Sequence, residues 1–111
     1  MNETDLQMHV VNYIRMQYPK ARFCASLGGI RTSISQGRKA KKTGYWKGYP
    51  DLFISEPNHL YHGLFIEIKT EKGRATALQK EWIKALNDRG YKAVICKGFI
   101  ECKEELDKYL M

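Results

Sequence analysis

The sequence is poor in cysteine and has no acidic residue between Asp5 and Asp51. Both shortages reduce the number of functions that the protein can have. Its three cysteines, Cys24, Cys96 and Cys102, are odd in number and include no CxxC pair. This argues against a disulfide framework and a zinc knuckle. No apolar run approaches the roughly 20 residues of a membrane span, and the N-terminus lacks the apolar segment of a signal peptide. We therefore expect a cytoplasmic protein with free thiols and no membrane segment.

The acid-free stretch concentrates the positive charge of the chain. The first fifty residues hold nine basic and two acidic residues and the rest holds ten of each, so the first part carries the whole excess behind the net charge of +7. Such a one-sided positive field favours a polyanionic partner, most commonly nucleic acid. The alternatives are that the partner is an acidic membrane surface or that the charge serves only solubility. The candidate phosphate-binding residues are Arg31, Arg38, Lys39, Lys41, Lys42 and Lys47.

The length of 111 residues fits one domain, which we expect to span residues 1–111. Apolar periodicity, caps and turn residues predict helices and strands along it. Helices are predicted from about Asn2 or Thr4 to Tyr18 and over 76–89 and 99–110, and strands over 21–26, 51–55, 63–70 and 91–97. Residues 27–48 read as a long loop, with or without a short hairpin. The order α-β-β-β-α-β-α indicates an α/β fold with a mixed β-sheet flanked by helices.

The strand predicted over 63–70 places two opposite charges on one face. Successive strand side chains face opposite sides, so Glu67 and Lys69 point the same way within an apolar segment. An ordinary ion pair at an exposed sheet edge is one interpretation. If the strand over 51–55 pairs with it as a hairpin, however, Asp51 lies beside the Lys69 end and converges with Glu67.

Two converging carboxylates repel each other unless a cation lies between them. Oxygen ligands suit a hard divalent cation such as Mg²⁺ or Mn²⁺. A metal held in this way activates a bound water and polarises a phosphate, and a nearby lysine can orient that water or stabilise negative charge. Asp51, Glu67 and Lys69 therefore predict metal-dependent phosphodiester hydrolysis.

Pro50-Asp51 followed by Glu67-Ile68-Lys69 resembles the PD-(D/E)xK nuclease motif. The whole chain resembles the stand-alone form of the VRR-NUC (virus-type replication–repair nuclease) family, with further matches at residues 3–7, 47–52 and 78–82. The resemblance implies a restriction-endonuclease-like fold and a homodimeric DNA endonuclease that is selective for branched or Holliday-junction DNA. A compact nuclease of this kind suits a phage, with its activity in the host cytoplasm.

The resemblance also implies a role for each matched residue. Asp51 and Glu67 match the metal-binding acids, the main-chain carbonyl of Ile68 completes the coordination, and Lys69 matches the catalytic lysine. Glu3 matches an acid on the first helix near the metal, although the helix dipole alone would favour an acid there. Gln79 matches a catalytic-site glutamine on the helix after the motif, with a capping or surface role as the alternative.

The sequence leaves open the role of three aromatic residues and the function of the chain as a whole. Tyr45, Trp46 and Tyr49 can stack on unpaired bases or pack against the domain. The chain as a whole can be a non-catalytic nucleic-acid-binding module with the nuclease fold, because the basic segment would support binding equally well. A small structural domain in which the ExK segment is an incidental surface pair is a third interpretation.

Overall fold

The computed structural model describes residues 1–26 and 33–111, and these residues form a mixed α/β fold, as predicted. Its elements in chain order are α1 (Glu3–Gln17), β1 (Phe23–Ala25), α2 (Ile34–Lys42), β2 (Leu52–Ile54), β3 (Leu64–Lys69), α3 (Ala77–Asp88), β4 (Lys92–Lys97) and α4 (Gly98–Leu110). Arg31 lies outside the described residues. Across the described part, no helix combines the length and the apolar character needed to cross a membrane.

The four strands form one sheet in the order β1-β2-β3-β4. The predicted hairpin is confirmed: β2 is antiparallel to β3, with Leu52 opposite Ile66 and Ile54 opposite Leu64. Strand β1 adds antiparallel to β2, and β4 lies parallel to β3. Since parallel neighbours need a crossover, α3 connects β3 to β4. Both β1 and β2 are shorter than the sequence predicts.

Strand β3 is the centre of the fold, and all six of its residues are buried. Leu64, Ile66 and Ile68 pack on one face with the apolar stripes of α1 and α4. On the other face, Phe65 packs with Leu86 of α3. Full burial of such side chains contributes about 1.5 to 3 kcal/mol each, so apolar packing from both sides fixes the position of β3.

Helix α2 corrects the predicted loop over 27–48, which is wrong for Ile34–Lys42. None of the nine α2 residues is buried, so the apolar periodicity that reveals the other helices is missing here. A capping box starts the helix: the Ser33 hydroxyl accepts from the Gln36 N–H at 3.2 Å, and the Gln36 amide oxygen accepts from the Ser33 N–H at 3.1 Å. A cap of this kind contributes about 1 kcal/mol. The Ser-x-x-Gln spacing was visible in the sequence.

The first and last helices are joined by a hydrogen-bonded cluster around Asp107 of α4. One carboxylate oxygen, Oδ1, accepts from the Tyr13 hydroxyl at 2.5 Å and from the Tyr18 hydroxyl at 2.6 Å. The other, Oδ2, accepts from the Lys103 ammonium at 2.9 Å. These bonds fix the orientation of α1 over the sheet, and α1 in turn carries Glu3.

Candidate active site

Strand β3 presents Glu67 and Lys69 on the face opposite Ile66 and Ile68, as predicted. The alternation of a strand forces this arrangement, because the apolar residues at even positions are drawn into the core with α1 and α4. Glu67 is 2% exposed and Lys69 is 7% exposed. The ammonium of Lys69 lies 3.5 Å from Glu67 Oε2. The pair is therefore buried at the centre of the sheet and is no incidental pair at an exposed edge.

Asp51 lies immediately before β2 and beside the end of β3. Extending the register of Leu52 with Ile66 by one position brings Asp51 opposite Glu67. Its Oδ2 accepts from the backbone N–H of Ile68 at 2.7 Å. A hydrogen bond between a carboxylate and a backbone N–H is charge-assisted, so it holds the Asp51 side chain across β3. The structure thus brings Asp51, Glu67 and Lys69 together.

The surroundings of Glu67 disfavour its negative charge. Burial raises the pKa of this carboxyl to about 8, and the nearby charge of Asp51 and a hydrogen bond with it act in the same direction, against the opposing effect of Lys69. Glu67 Oε1 is buried and has no hydrogen-bond partner among the described residues. Buried polar atoms are normally satisfied. A buried carboxylate with an unused oxygen beside a second carboxylate fits a divalent cation, which would supply both the positive charge and the missing contact.

Glu3 contacts Lys69 and lines one groove together with Asp51. It lies in the first turn of α1, and its Oε2 is 3.9 Å from the Lys69 ammonium. Within residues 1–26 and 33–111, no group of three His, Cys, Asp or Glu side chains is placed to hold a metal ion. Lys69 therefore lies between two carboxylates, and metal coordination by Glu3 stays a prediction. The same holds for the carbonyl of Ile68, whose N–H is the group bonded to Asp51.

Gln79 takes part in the N-terminal cap of α3. Its side-chain oxygen accepts from the Thr76 N–H at 2.9 Å, and its own N–H donates to the Thr76 hydroxyl at 3.2 Å. These two bonds form a capping box, which is the alternative that the sequence left open. Both described hydrogen bonds of Gln79 stabilise the start of α3. Its catalytic role stays a prediction.

The predicted phosphate-binding residues within the described part of the chain lie on or just after α2. Arg38, Lys39, Lys41 and Lys42 are exposed on this helix, and Lys47 is exposed on the segment that follows it. This segment, residues 43–50, leads directly to Asp51. The structure therefore places a cluster of positive charge on the element that precedes the candidate metal site in the chain.

Arg15 was not singled out by the sequence analysis, and Tyr45 was named there only for stacking on bases or packing against the domain. Tyr45 is half-buried, and burial together with the charges of Asp51 and Glu67 raises the pKa of its hydroxyl. A groove of about 390 Å³ extends from Asp51 along α1 to Arg15. The Arg15 guanidinium lies 5.7 Å from the centre of the Phe23 ring, a cation–π contact that restrains it. A lone tyrosine or arginine forms no motif, so only the fold reveals these positions.

Comparisons with known proteins concern the fold and the family of the chain. A family model described as "VRR-NUC domain" matches residues 2–108. A solved structure titled "VRR_NUC domain protein" is 34% identical in sequence, with a TM-score of 0.84, and the match covers 99% of this chain and 88% of that chain. No curated protein matches the chain. The family match includes Glu3, Asp51, Glu67, Lys69 and Gln79.

Proposed function

We propose that this chain, which belongs to the VRR-NUC family of nuclease-type proteins, is a Mg²⁺- or Mn²⁺-dependent DNA endonuclease that hydrolyses phosphodiester bonds. The observation that carries the proposal is the buried Glu67–Lys69 pair with Asp51 hydrogen-bonded across the same strand. Burying these charges is expensive, and a purely structural strand would be better packed with apolar side chains.

Asp51 and Glu67 would hold the metal ion, with the carbonyl of Ile68 and with Glu3 as further candidates. When bound, the ion would lower the pKa of a bound water and neutralise the phosphoryl oxygens. Lys69 would orient the attacking water and stabilise the negative charge that develops on the phosphate. The bond from Ile68 N–H to Asp51 would keep one carboxylate preorganised, which reduces the reorganisation needed at each turnover.

The basic residues of α2 would hold the DNA through its phosphates. Such contacts position nucleic acid without reading its sequence, which supports selectivity for structure over sequence. Branched DNA, including the Holliday junction, is the substrate that the family resemblance suggests. A homodimer would present two such sites to two strands, related by a two-fold axis.

Cleavage assays on labelled duplex, flap and four-way-junction DNA test the proposal. With Mg²⁺ or Mn²⁺ we expect cleavage that chelator abolishes. Asp51→Ala and Lys69→Ala should each lower the rate on the order of 100-fold or more while DNA binding is retained. Lys84→Ala is the matched control, because Lys84 is an exposed lysine of α3 paired with Asp88 at 2.7 Å. DNA binding with no metal-dependent cleavage of any substrate would instead identify a non-catalytic binding module.

A further inference from the structure

The two tryptophans of the chain are in contact at the surface of α3, the helix that carries Trp82. The ring centres of Trp46 and Trp82 are 5.1 Å apart, with the planes at 77°. They line a groove of about 260 Å³ together with Leu78 and Arg89, here named the tryptophan groove. Ligand pockets for drug-sized molecules usually exceed about 300 Å³. The size of this groove suits a smaller, flat group.

The walls of the groove are held firmly. Gly48 approaches α3 so closely that a Cβ at this position would lie 2.9 Å from the backbone carbonyl of Leu78. Tyr49 packs edge-on against Trp82, with ring centres 5.0 Å apart. The segment that carries Trp46 is therefore anchored on α3 directly after Lys47. A rigid aromatic wall binds a flat ligand with little loss of conformational entropy.

Two features of the groove remain unsatisfied within the described part of the molecule. Trp46 is 68% exposed and Leu78 is 40% exposed, so a large apolar surface faces solvent. The Trp82 Nε1–H is buried without a hydrogen-bond partner among the described residues, so it offers no surface that a ligand in the groove can reach. A ligand with a flat apolar face matches the exposed apolar surface.

The surrounding charge indicates what that ligand is attached to. Lys47 is next to Trp46 in the chain, and the exposed basic residues of α2 precede it. Arg89 and Glu81 also line the groove, and the Arg89 guanidinium is held by its hydrogen bond to the backbone carbonyl of Ala85 at 2.8 Å. A polyanionic strand satisfies this environment, whereas a second copy of a chain with net charge +7 would meet like charge.

We propose that the tryptophan groove binds an unpaired nucleobase of the DNA substrate. The base would stack on Trp46 or Trp82, and its edge would exchange hydrogen bonds with Arg89 and Glu81, while α2 holds the adjacent phosphates. Bases inside a duplex are paired and stacked on their neighbours, so a flap or a single-stranded end offers a free base directly, and a junction offers one where a base pair at the crossover opens. This inference rests on the proposed function for its ligand and explains how the enzyme would select branched DNA.

Intrinsic fluorescence tests the groove directly, because both tryptophans of the chain lie in it. The protein is titrated in chelator, so that no cleavage occurs, with a short oligothymidine strand, with the same strand lacking its bases, and with a blunt duplex. We expect quenching by the intact strand and much weaker quenching by the other two. Trp46→Ala should lower affinity for the intact strand roughly 5- to 150-fold, since stacking contributes about 1 to 3 kcal/mol per base.

Two matched variants keep the test independent of folding. Trp46→Phe should retain most of the affinity, because an aromatic face remains. Leu60→Ala removes another apolar side chain that is 68% exposed and should leave affinity unchanged. Equal affinity for intact and abasic strands would overturn the proposal. A shift of the fluorescence spectrum that depends on protein concentration alone would also overturn it, because it would indicate that a second copy of this chain occupies the groove.

The result is separable from the outcome of the cleavage assay. Asp51→Ala should quench like the unmodified protein, because Asp51 does not line the groove. If quenching and its loss in Trp46→Ala are observed while no substrate is cleaved, the groove assignment stands and the nuclease proposal fails. If cleavage is observed but no base-dependent quenching, only the groove assignment fails.

Discussion

Glu67 is a carboxylate placed where an apolar side chain would pack best. Its five neighbours in β3 include four fully buried apolar residues or nearly so, and their packing energy holds the strand in position. Burial and the charge of Asp51 raise the pKa of Glu67, so the surroundings disfavour its negative charge, and a cation beside it would offset this effect. The conflict between packing and charge at this residue is the physical basis of the proposed metal site.

Gly48 controls the segment between the basic helix and Asp51. Its φ of +96° lies in the left-handed region, and an added Cβ would touch the Leu78 backbone at 2.9 Å. Gly44 has a φ of +115° but nothing within 4 Å of such a Cβ. Gly48→Ala should therefore lose about 1 to 2 kcal/mol from φ strain and more from the clash, whereas Gly44→Ala should lose the strain alone. Chemical denaturation measures both, and equal losses would contradict the packing argument.

The residues that sequence reasoning located correctly share one property. Glu67 and Lys69 were placed by the two-residue period of a strand, and Asp51 was placed by hairpin pairing. Both rules are local and depend little on the rest of the fold. The contact of Glu3 with Lys69 and the cap formed by Gln79 depend on how helices dock and which rotamers they allow, so the sequence left these roles open.

At the scale of elements, α2 shows why a helix can escape sequence analysis. Hydrophobic periodicity detects a helix by the face it buries, and α2 buries none of its residues. Its stability comes instead from the Ser33–Gln36 capping box and from basic side chains near its negative C-terminal end. By contrast, α1, α3 and α4 each bury apolar residues, and their predicted bounds agree with the structure within a few residues.

The charge of α2 should control how DNA binding responds to salt. Lys39, Lys41 and Lys42 replaced together by Gln should lower affinity uniformly across DNA sequences. The slope of log affinity against log salt should become shallower by roughly 0.9 for each lost phosphate contact. Fluorescence anisotropy over a series of salt concentrations measures this slope.

The control variant removes the same number of positive charges from positions outside α2. Lys20, Lys84 and Lys108 are exposed lysines outside α2, and their joint replacement by Gln should change the slope much less. An identical slope for both triple variants would show that net charge, and not the position of α2, governs binding. Removing these lysines loses their favourable interaction with the C-terminal end of α2, but since α2 has no buried residue this loss is confined to α2, and the rest of the fold should unfold at nearly the same temperature as in the unmodified protein.

At the scale of the whole molecule, Asp107 connects segments about 90 residues apart in the chain. Hydrogen bonds, first from Tyr13 and then from Tyr18 and Lys103, lower the pKa of Asp107 from 3.8 to about 2. A carboxyl with a lowered pKa in the folded state stabilises the fold above its unfolded pKa. This contribution should be lost as the pH falls from about 4 through about 2.

Asp107→Asn should therefore lower the melting temperature at neutral pH and reduce its fall between pH 4 and pH 2. Asp88→Asn is the matched control, because Asp88 binds a single exposed lysine, Lys84, and surface pairs of this kind contribute little. Thermal unfolding followed by circular dichroism measures both variants. If the two melt alike across this pH range, the cluster around Asp107 is not a significant connection between α1 and α4.

Helix α2 contributes no buried side chain to the core, so its sequence can change without loss of core packing. Strand β3 is held by packing on both of its faces, whereas α2 is exposed to solvent along its length. Its sequence is therefore free to diverge without disturbing Asp51, Glu67 and Lys69, provided that a cap and a helical segment remain. Under the proposed function, substrate preference would change through substitutions in α2, and a different charge pattern could be introduced there without altering the candidate site.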